Sequence, residues 1–271
     1  MKRDELDRLL REKLRKWERR EKDEDQFKVV EEVFDSATIR TVLELTRRGV
    51  LKKINGVVSA GKESRVYLAY GPSGELLAVK IYLTSSAEFK KGIYKYIIGD
   101  PRFEGVKIKD TRSLMIAWAH KEFRNLKRMW EAGVKVPKPI ACLNNVLVME
   151  FLGEQNFRYP LLVEVYEELT REELEHVFKL VCEELEKIVC KAELVHGDYS
   201  EYNIVVKPDL DIAVIDVSQA VELSHPNALE FLNRDIENIY RFFTKEAGLD
   251  VDEDYIRGGA ESCLKEKGIL Y

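Results

Sequence analysis

Only four cysteines and four histidines occur in this chain of 271 residues, and no two cysteines form a C-x-x-C pair. Cys142, Cys182, Cys190 and Cys263 are spaced too widely for a structural zinc site and give no sign of a disulfide framework. A reducing cytoplasm suits such a chain, and a cytoplasmic protein is expected. No run approaches the roughly 18 apolar residues of a membrane span, and the opening MKRDELDRLLREKLRKWERREKDED has no apolar signal region. The protein is therefore expected to be neither secreted nor embedded. Net charge is scarce as well: 44 basic and 49 acidic residues leave −5, so no global field recruits nucleic acid or an anionic membrane. Glutamine stands only at positions 26, 155 and 219 while Glu and Lys are plentiful, a bias seen in hyperthermophile proteins.

A composition of 45% hydrophobic and 34% charged residues supports one large two-lobed domain or two small ones with real cores. Residues 1–25 carry Leu6, Leu9, Leu10, Leu14 and Trp17 as a helix-spaced stripe among charges of both signs. This reads as a solvated helix with one narrow packing face; a partner-binding arm is the alternative. Ser36 is placed to cap a second helix that Gly49 ends. The period then falls to two, and GVVS, RVYLAY and ELLAVKIY read as three antiparallel strands. Residues 84–111 hold glycine breaks and no sustained period, which predicts a long, partly mobile insertion. A helix follows over 112–132, and PKPIACLNNVLVMEFLG gives two strands around Asn144-Asn145. Helical spacing returns at 171–192, IVV and IAVID pair across KPDLD, and Pro226 opens a helix running to about Gly248. The expected division is a helical extension at 1–50, a strand-rich lobe at 51–150 and a helical lobe at 151–271.

The residues with chemistry to offer begin at VHGDYSEYNIVV, 195–206. His196-Gly197-Asp198, followed after four residues by Asn203, matches the kinase catalytic loop H-R-D-x-x-x-x-N with Gly at the Arg position. At the end of IAVID stands Asp216, where the same scheme puts the metal-binding Asp of D-F-G. Phosphoryl transfer needs a carboxylate to take the acceptor hydroxyl's proton and hard oxygen ligands to hold Mg²⁺ on the phosphates. Asp198 suits the first task, and Asn203 with Asp216 suits the second. Asp and Asn also turn and cap loops for purely structural reasons, and an isolated match has that plainer account.

Three further matches in the right order weigh against the plainer account. Lys80 lies in the apolar strand LAVK, where a cation is costly unless paired. It is expected to grip the α- and β-phosphates and pair with Glu122 of the following helix, with Glu131 and Glu88 as alternatives. SAGKESRV keeps Gly61 and Val66 of a glycine loop, so Ser59, Ala60, Gly61, Lys62, Glu63 and Ser64 are candidate phosphate contacts. A Walker A reading of Gly56 to Lys62 fails, because Glu63 stands at the Ser/Thr position and a strand follows. VLVMEFLG places Met149, Glu150, Phe151 and Leu152 at a hinge, where backbone groups would meet adenine. Val66, Ala78 and Val205 would supply apolar walls, with Ile215 a further nucleotide contact.

Taken together, SAGKESRVY, AVKIY, WAHKEFRNLKRM, VPKP, VLVMEFLGE, LVHGDYSEYNIVV, Ile215-Asp216 and HPNALEFLNRDIENIYRFF resemble the RIO atypical protein kinases, the first subfamily in particular. The resemblance covers most of residues 35–245. It implies an α+β, bilobal protein-kinase-like fold: an antiparallel β-rich N-lobe, a reduced helical C-lobe and extra N-terminal helices. It implies ATP with Mg²⁺ or Mn²⁺, serine autophosphorylation, and a role in maturing the small ribosomal subunit through its RNA or proteins. It also implies that Asp216 accepts a phosphoryl group during ATP hydrolysis. Only VSQAVELSH separates Asp216 from Pro226, and nothing like A-P-E is present, so peptide docking of the usual kind is not expected. Ser85, Ser86, Thr111 and Ser113 are candidate autophosphorylation sites, with solvated turn residues as the plainer account. Two other functions are weighed: a small-molecule phosphotransferase of the aminoglycoside or choline kinase type, and a nucleotide-gated factor that docks on a pre-ribosomal particle.

Overall fold

The period-2 runs become a five-stranded antiparallel sheet in the computed structural model, which describes residues 35–61, 63–83, 92–103, 108–155 and 157–269. The stripe from Leu6 to Trp17 lies outside the described residues. Helix α1 (Ser36–Arg47) precedes the sheet, and Asp35 rather than Ser36 caps it, taking the Thr38 amide at 2.7 Å. Strands β1 (Lys53–Ala60), β2 (Ser64–Tyr70) and β3 (Leu76–Tyr82) form a meander. Helix α2 (Thr111–Glu131) follows, then β4 (Pro139–Leu143) and β5 (Val146–Glu150), turned by Asn144 at φ 50°, and a two-residue pair, β6 (Gly153–Glu154) with β7 (Phe157–Arg158). The spatial order β1-β2-β3-β5-β4 makes β3 central.

Alternation along β3 sorts its side chains onto two faces. Leu77, Val79 and Ile81 join Leu45, Leu51, Tyr67, Ala69, Val146 and Val148 in the main core of this unit. Ala78, on the opposite face, packs with Leu68 and Phe151, flanked by Val58, Val66, Leu76 and Met149. Lys80 and Tyr82 share the second face, so their polar ends must find partners there.

The chain divides into two packing units. One comprises the described residues through Gly92 with Val106–Phe123 and Lys138–Tyr159; the other comprises Ile93–Gly105, Arg124–Pro137 and Pro160–Tyr271. Two segments that precede residue 150 thus pack with the helical unit, and the division falls inside α2. Residues 92–103, expected to lie in a partly mobile insertion, carry the 3₁₀ turns Tyr94–Tyr96 and Pro101–Phe103 instead. Ile93, Tyr96, Ile97, Asp100 and Phe103 are buried there. Two single turns are too short to display a helical period, which is why the sequence pattern misses them. Residues 84–91 and 104–107 lie outside the described residues.

Past residue 160 the helical unit continues with a single turn, α3 (Leu162–Val165), and the long α4 (Arg171–Cys190). A capping box opens α4: the Glu173 amide donates to Thr170 Oγ1 and the Thr170 amide to Glu173 Oε2. Four short strands follow, β8 (Leu194–Val195), β9 (Ile204–Val206), β10 (Ile212–Val214) and β11 (Val221–Glu222), pairing as β9 with β10 and β8 with β11. Helix α5 (Ala228–Arg241) runs into a π turn, Phe242–Glu246, and α6 (Glu253–Glu266) ends the described chain. Phe178 of α4 meets Phe243 edge-on at 5.0 Å. A disulfide between Cys190 and Cys263 ties α4 to α6, contrary to the unpaired cysteines expected from their spacing. Partners 73 residues apart leave no local signature.

Candidate active site

The strand-rich unit presents Lys80 as expected. Its side chain is 7% exposed and its Nζ donates to Glu122 Oε1 at 2.9 Å. Of the alternatives, Glu131 is an exposed partner of Lys127, and Glu88 lies outside the described residues. A second donor reaches the same carboxylate: Tyr82 Oη bonds Glu122 Oε2. The Lys80 ammonium also lies 5.3 Å from the Tyr82 ring centroid. Glu122 is thus held from two sides, and Lys80 is held at one height above the β3 face.

Val66, Ala78, Met149 and Phe151 fall in the small apolar cluster on that face. Beyond β5, the Phe151 amide donates to Leu76 O at 3.2 Å, and the Leu152 carbonyl accepts from the Tyr159 amide at 2.9 Å. Glu150 turns back, taking the Lys138 amide on Oε2 at 3.1 Å. Gly153 permits this crossing, since a Cβ there would stand 2.3 Å from the Phe157 carbonyl oxygen. Ser59, Ala60, Gly61, Glu63 and Ser64 sit at the β1–β2 turn, closed by the Gly61 amide on Ser64 O at 3.0 Å. Lys62 lies outside the described residues. The strand β2 that follows confirms that this turn does not open a helix, as a Walker A loop would.

The helical unit gathers the carboxylates. Asn203 Nδ2 donates to the Asp198 backbone oxygen at 2.8 Å and approaches Asp198 Oδ2 at 3.4 Å. With Nδ2 so engaged, the Asn203 amide oxygen is the acceptor end of the side chain. The Ile215 amide donates to Asn203 O at 2.9 Å, which sets Asp216 beside Asn203. Asp216 is exposed and left-handed at φ 54°, ψ 60°, a conformation uncommon for a residue with a Cβ. The short turn behind it grips both acids: Ser218 Oγ donates to Asp216 Oδ1 at 3.0 Å, and Gln219 Nε2 to Asp198 Oδ2 at 3.1 Å. Val205 is buried in β9, and Ile215 follows β10 half-buried.

The loop backbone is fixed from beneath by α5. Asp235 is fully buried, and its two carboxylate oxygens accept the Gly197 and Tyr199 amides at 2.8 Å each. Burial pushes this carboxyl up to about 7; the two amide bonds and Arg234 oppose the rise, and the Asp198 charge adds to it. His196, also fully buried, meets the Ile215 carbonyl through Nε2 at 3.2 Å. Tyr199 donates its hydroxyl to Val181 O at 2.9 Å, and burial raises its phenol well above the ordinary value. Gly197 has φ +79°, so the loop needs a residue without a Cβ directly before Asp198.

Each unit therefore assembles its own predicted residues, and each adds supports that the sequence reading omits: Tyr82, Asn125, Gln219, Arg234 and Asp235. Asp235 had a signal. It interrupts the apolar stripe Phe231, Leu232, Ile236 and Ile239, and a carboxylate there needs strong partners. Among the described residues, no three carboxylate, imidazole or thiol side chains cluster as a metal site. The expected metal pair, Asn203 and Asp216, instead includes an amide, and its side chains carry hard oxygen atoms of the kind Mg²⁺ takes. Among the described residues, no helix is long and apolar enough to cross a membrane.

A family model for the RIO domain matches residues 65–256. The RIO-type serine/threonine-protein kinase Rio1 of Haloferax volcanii is 43% identical over 254 residues, covering 93% of this chain and 84% of that protein. The serine/threonine-protein kinase RIO3 of Caenorhabditis elegans is 39% identical over 231 residues, 83% of this chain but 43% of that one. Human RIO1 is 37% identical over 237 residues, 84% of this chain and 41% of that one, so the chain spans less than half of these two relatives. Among solved structures, the Rio2 kinase of Chaetomium thermophilum in an ADP/Mg²⁺-phosphoaspartate complex aligns with a TM-score of 0.53 at 20% identity, over 85% of this chain and 70% of that one. That likeness is one of fold: an α+β, kinase-like arrangement of an antiparallel sheet and a helical portion.

Proposed function

Since this chain belongs to the RIO family of serine/threonine-protein kinases, we propose that it transfers the γ-phosphoryl group of ATP to a hydroxyl acceptor, with Asp198 as the base. The observation that carries this reading is the Asn203 amide. Its nitrogen is committed to Asp198, and its backbone carbonyl takes the amide of Ile215, the residue before Asp216, an arrangement suited to a pair of metal ligands next to a base. Asn203 Oδ1 and the Asp216 carboxylate would hold Mg²⁺ or Mn²⁺, which supplies charge neutralisation of the phosphates when bound.

The protein's own groups do the rest. Lys80, aligned by Glu122 and Tyr82, binds phosphate oxygens. Val66, Ala78 and Met149 offer apolar surface to the base. Asp198 accepts the acceptor hydroxyl's proton as the new O–P bond forms and the bond to the ADP oxygen breaks. Gln219 and Asn203 keep the Asp198 carboxylate oriented for that transfer. The rate gain arises from positioning and electrostatics. In the absence of a protein acceptor, the exposed Asp216 carboxylate takes the phosphoryl group itself and water later releases it, giving slow ATP hydrolysis. The physiological setting we assign is cytoplasmic, with a small-subunit ribosomal precursor as partner.

Asp198→Ala is expected to abolish transfer to protein while calorimetric ATP·Mg²⁺ affinity stays within about 3-fold of wild type. Wild-type turnover in that variant would overturn the assignment. Acid-stable and acid-labile phosphate on the labelled protein separate seryl from aspartyl products.

A further inference from the structure

Residues 93–103 come from the insertion, yet they reach both loops that carry the carboxylates. Asn125 is fully buried, and its Nδ2 donates to the Val217 carbonyl at 2.8 Å and the Ala220 carbonyl at 3.0 Å. These carbonyls bracket the turn whose Ser218 and Gln219 bond Asp216 and Asp198. Arg102 fixes the Asn125 amide the right way round by donating Nη1 to Oδ1 at 2.5 Å, and its Nη2 lies 3.4 Å from the Ala220 oxygen. Asp100, also buried, holds Arg102 in a fork with contacts of 2.6 to 3.1 Å. At the other end of the segment, Arg234 donates to Tyr96 Oη at 3.2 Å and to the Gly197 carbonyl. The Tyr96 ring lies against Gly197, 3.4 Å from where a Cβ would stand, and packs on Phe231 at 5.1 Å.

We propose that Asp100, Arg102 and Asn125 form a positioning clamp for phosphoryl transfer, holding the turn after Asp216 so that Asp216 and Asp198 keep their places. The inference rests on the roles proposed above for those two carboxylates. Three features set the clamp apart from simple packing. Its polar atoms are directed at backbone carbonyls within four residues of Asp216, so the contact fixes the turn by direction as well as by volume. The left-handed backbone of Asp216 is of the kind that persists only where the surroundings over-determine it. The arginine fork is rigid and planar, so it transmits the position of Asp100 to the amide without slack.

Arg102→Met removes the fork and keeps the side-chain stem, while Arg102→Lys keeps the charge and loses the second contact. In folded Arg102→Met, kcat is expected to fall about 100-fold with KM for ATP within about 3-fold, as for a small displacement of reacting groups. The Mg²⁺ concentration for half-maximal rate should rise about 10-fold, the usual cost of losing support behind a metal ligand. Arg102→Lys should fall between the two, and it decides the matter if the methionine variant does not fold. Hydrogen exchange at the Ser218 and Ala220 amides should quicken about 10-fold in both variants, with α4 amides unchanged. Wild-type kcat and Mg²⁺ dependence in a folded variant, or unaltered exchange at the turn, would overturn the clamp. Failure of the functional reading looks different: the wild-type protein itself would neither take up nucleotide with Mg²⁺ nor transfer phosphate. The exchange measurement needs no nucleotide and still decides the clamp in that case.

Discussion

Asp235→Asn tests how the catalytic loop is held, and pH is the variable that exposes it. An ordinary aspartate titrates near 3.8, whereas burial in α5 brings Asp235 to about 7 despite two amide bonds to its oxygens. Below the unfolded value the carboxyl is protonated in both states, and the associated stability is fully present. As pH climbs towards 7, the unfolded chain has released its proton and the folded chain still holds it, so the folded state loses ground. The loss levels off above the folded pKa and amounts to at most roughly 4 kcal/mol. Asparagine cannot titrate, so the variant lacks this slope. It instead carries a pH-independent penalty of about 1–3 kcal/mol, because one of the Gly197 and Tyr199 amides faces an NH₂ group. The expected result is a variant less stable than wild type at pH 5, with the gap closing or reversing by pH 8. Urea unfolding followed by far-UV circular dichroism at constant ionic strength measures both curves. A wild-type-minus-variant difference that stays flat from pH 5 to 8 would refute the reasoning, since the buried carboxyl would then not be the titrating group.

Two further outcomes follow from the buried contacts. Glu122→Gln leaves the Lys80 charge without its carboxylate and should lower stability by about 3–5 kcal/mol, whereas Tyr82→Phe removes one bond to a charged group and should cost about 1.5–3 kcal/mol; thermal unfolding orders the two, and equal effects would contradict the geometry. The Cys190–Cys263 bond closes a 73-residue interval, worth up to about 4 kcal/mol on a chain-entropy basis, so a reducing agent or Cys263→Ser should lower the urea midpoint; an unchanged midpoint would mean that the bond contributes nothing.

The parts of this molecule that speak in sequence are those governed by short-range rules. Alternation exposes β2 and β3, the pair Asn144-Asn145 marks its hairpin, and the cost of a cation in an apolar strand draws attention to Lys80. The spacing from Asp198 to Asn203 is likewise local, and the structure realises it as one hydrogen-bonded loop. What stays hidden is support from afar. Asn125 meets Val217 across 92 residues, and Arg102 meets Ala220 across 118, with no periodic signal to link them. Tyr82 could be placed beside Lys80 by alternation, but its bond to Glu122 depends on where α2 lies. The disulfide and the turns of 93–103 are hidden for the same reason: each depends on distant elements meeting in three dimensions.

The pairing of β11 with β8 has a consequence for control. Val221 is hydrogen-bonded opposite Val195 only five positions past Asp216, and His225 closes the path by taking the Asn227 amide at 3.1 Å. A tether that short, pinned at both ends, has no slack with which to fold in or swing out. The segment after Asp216 is accordingly a fixed support for that carboxylate and not a long movable arm.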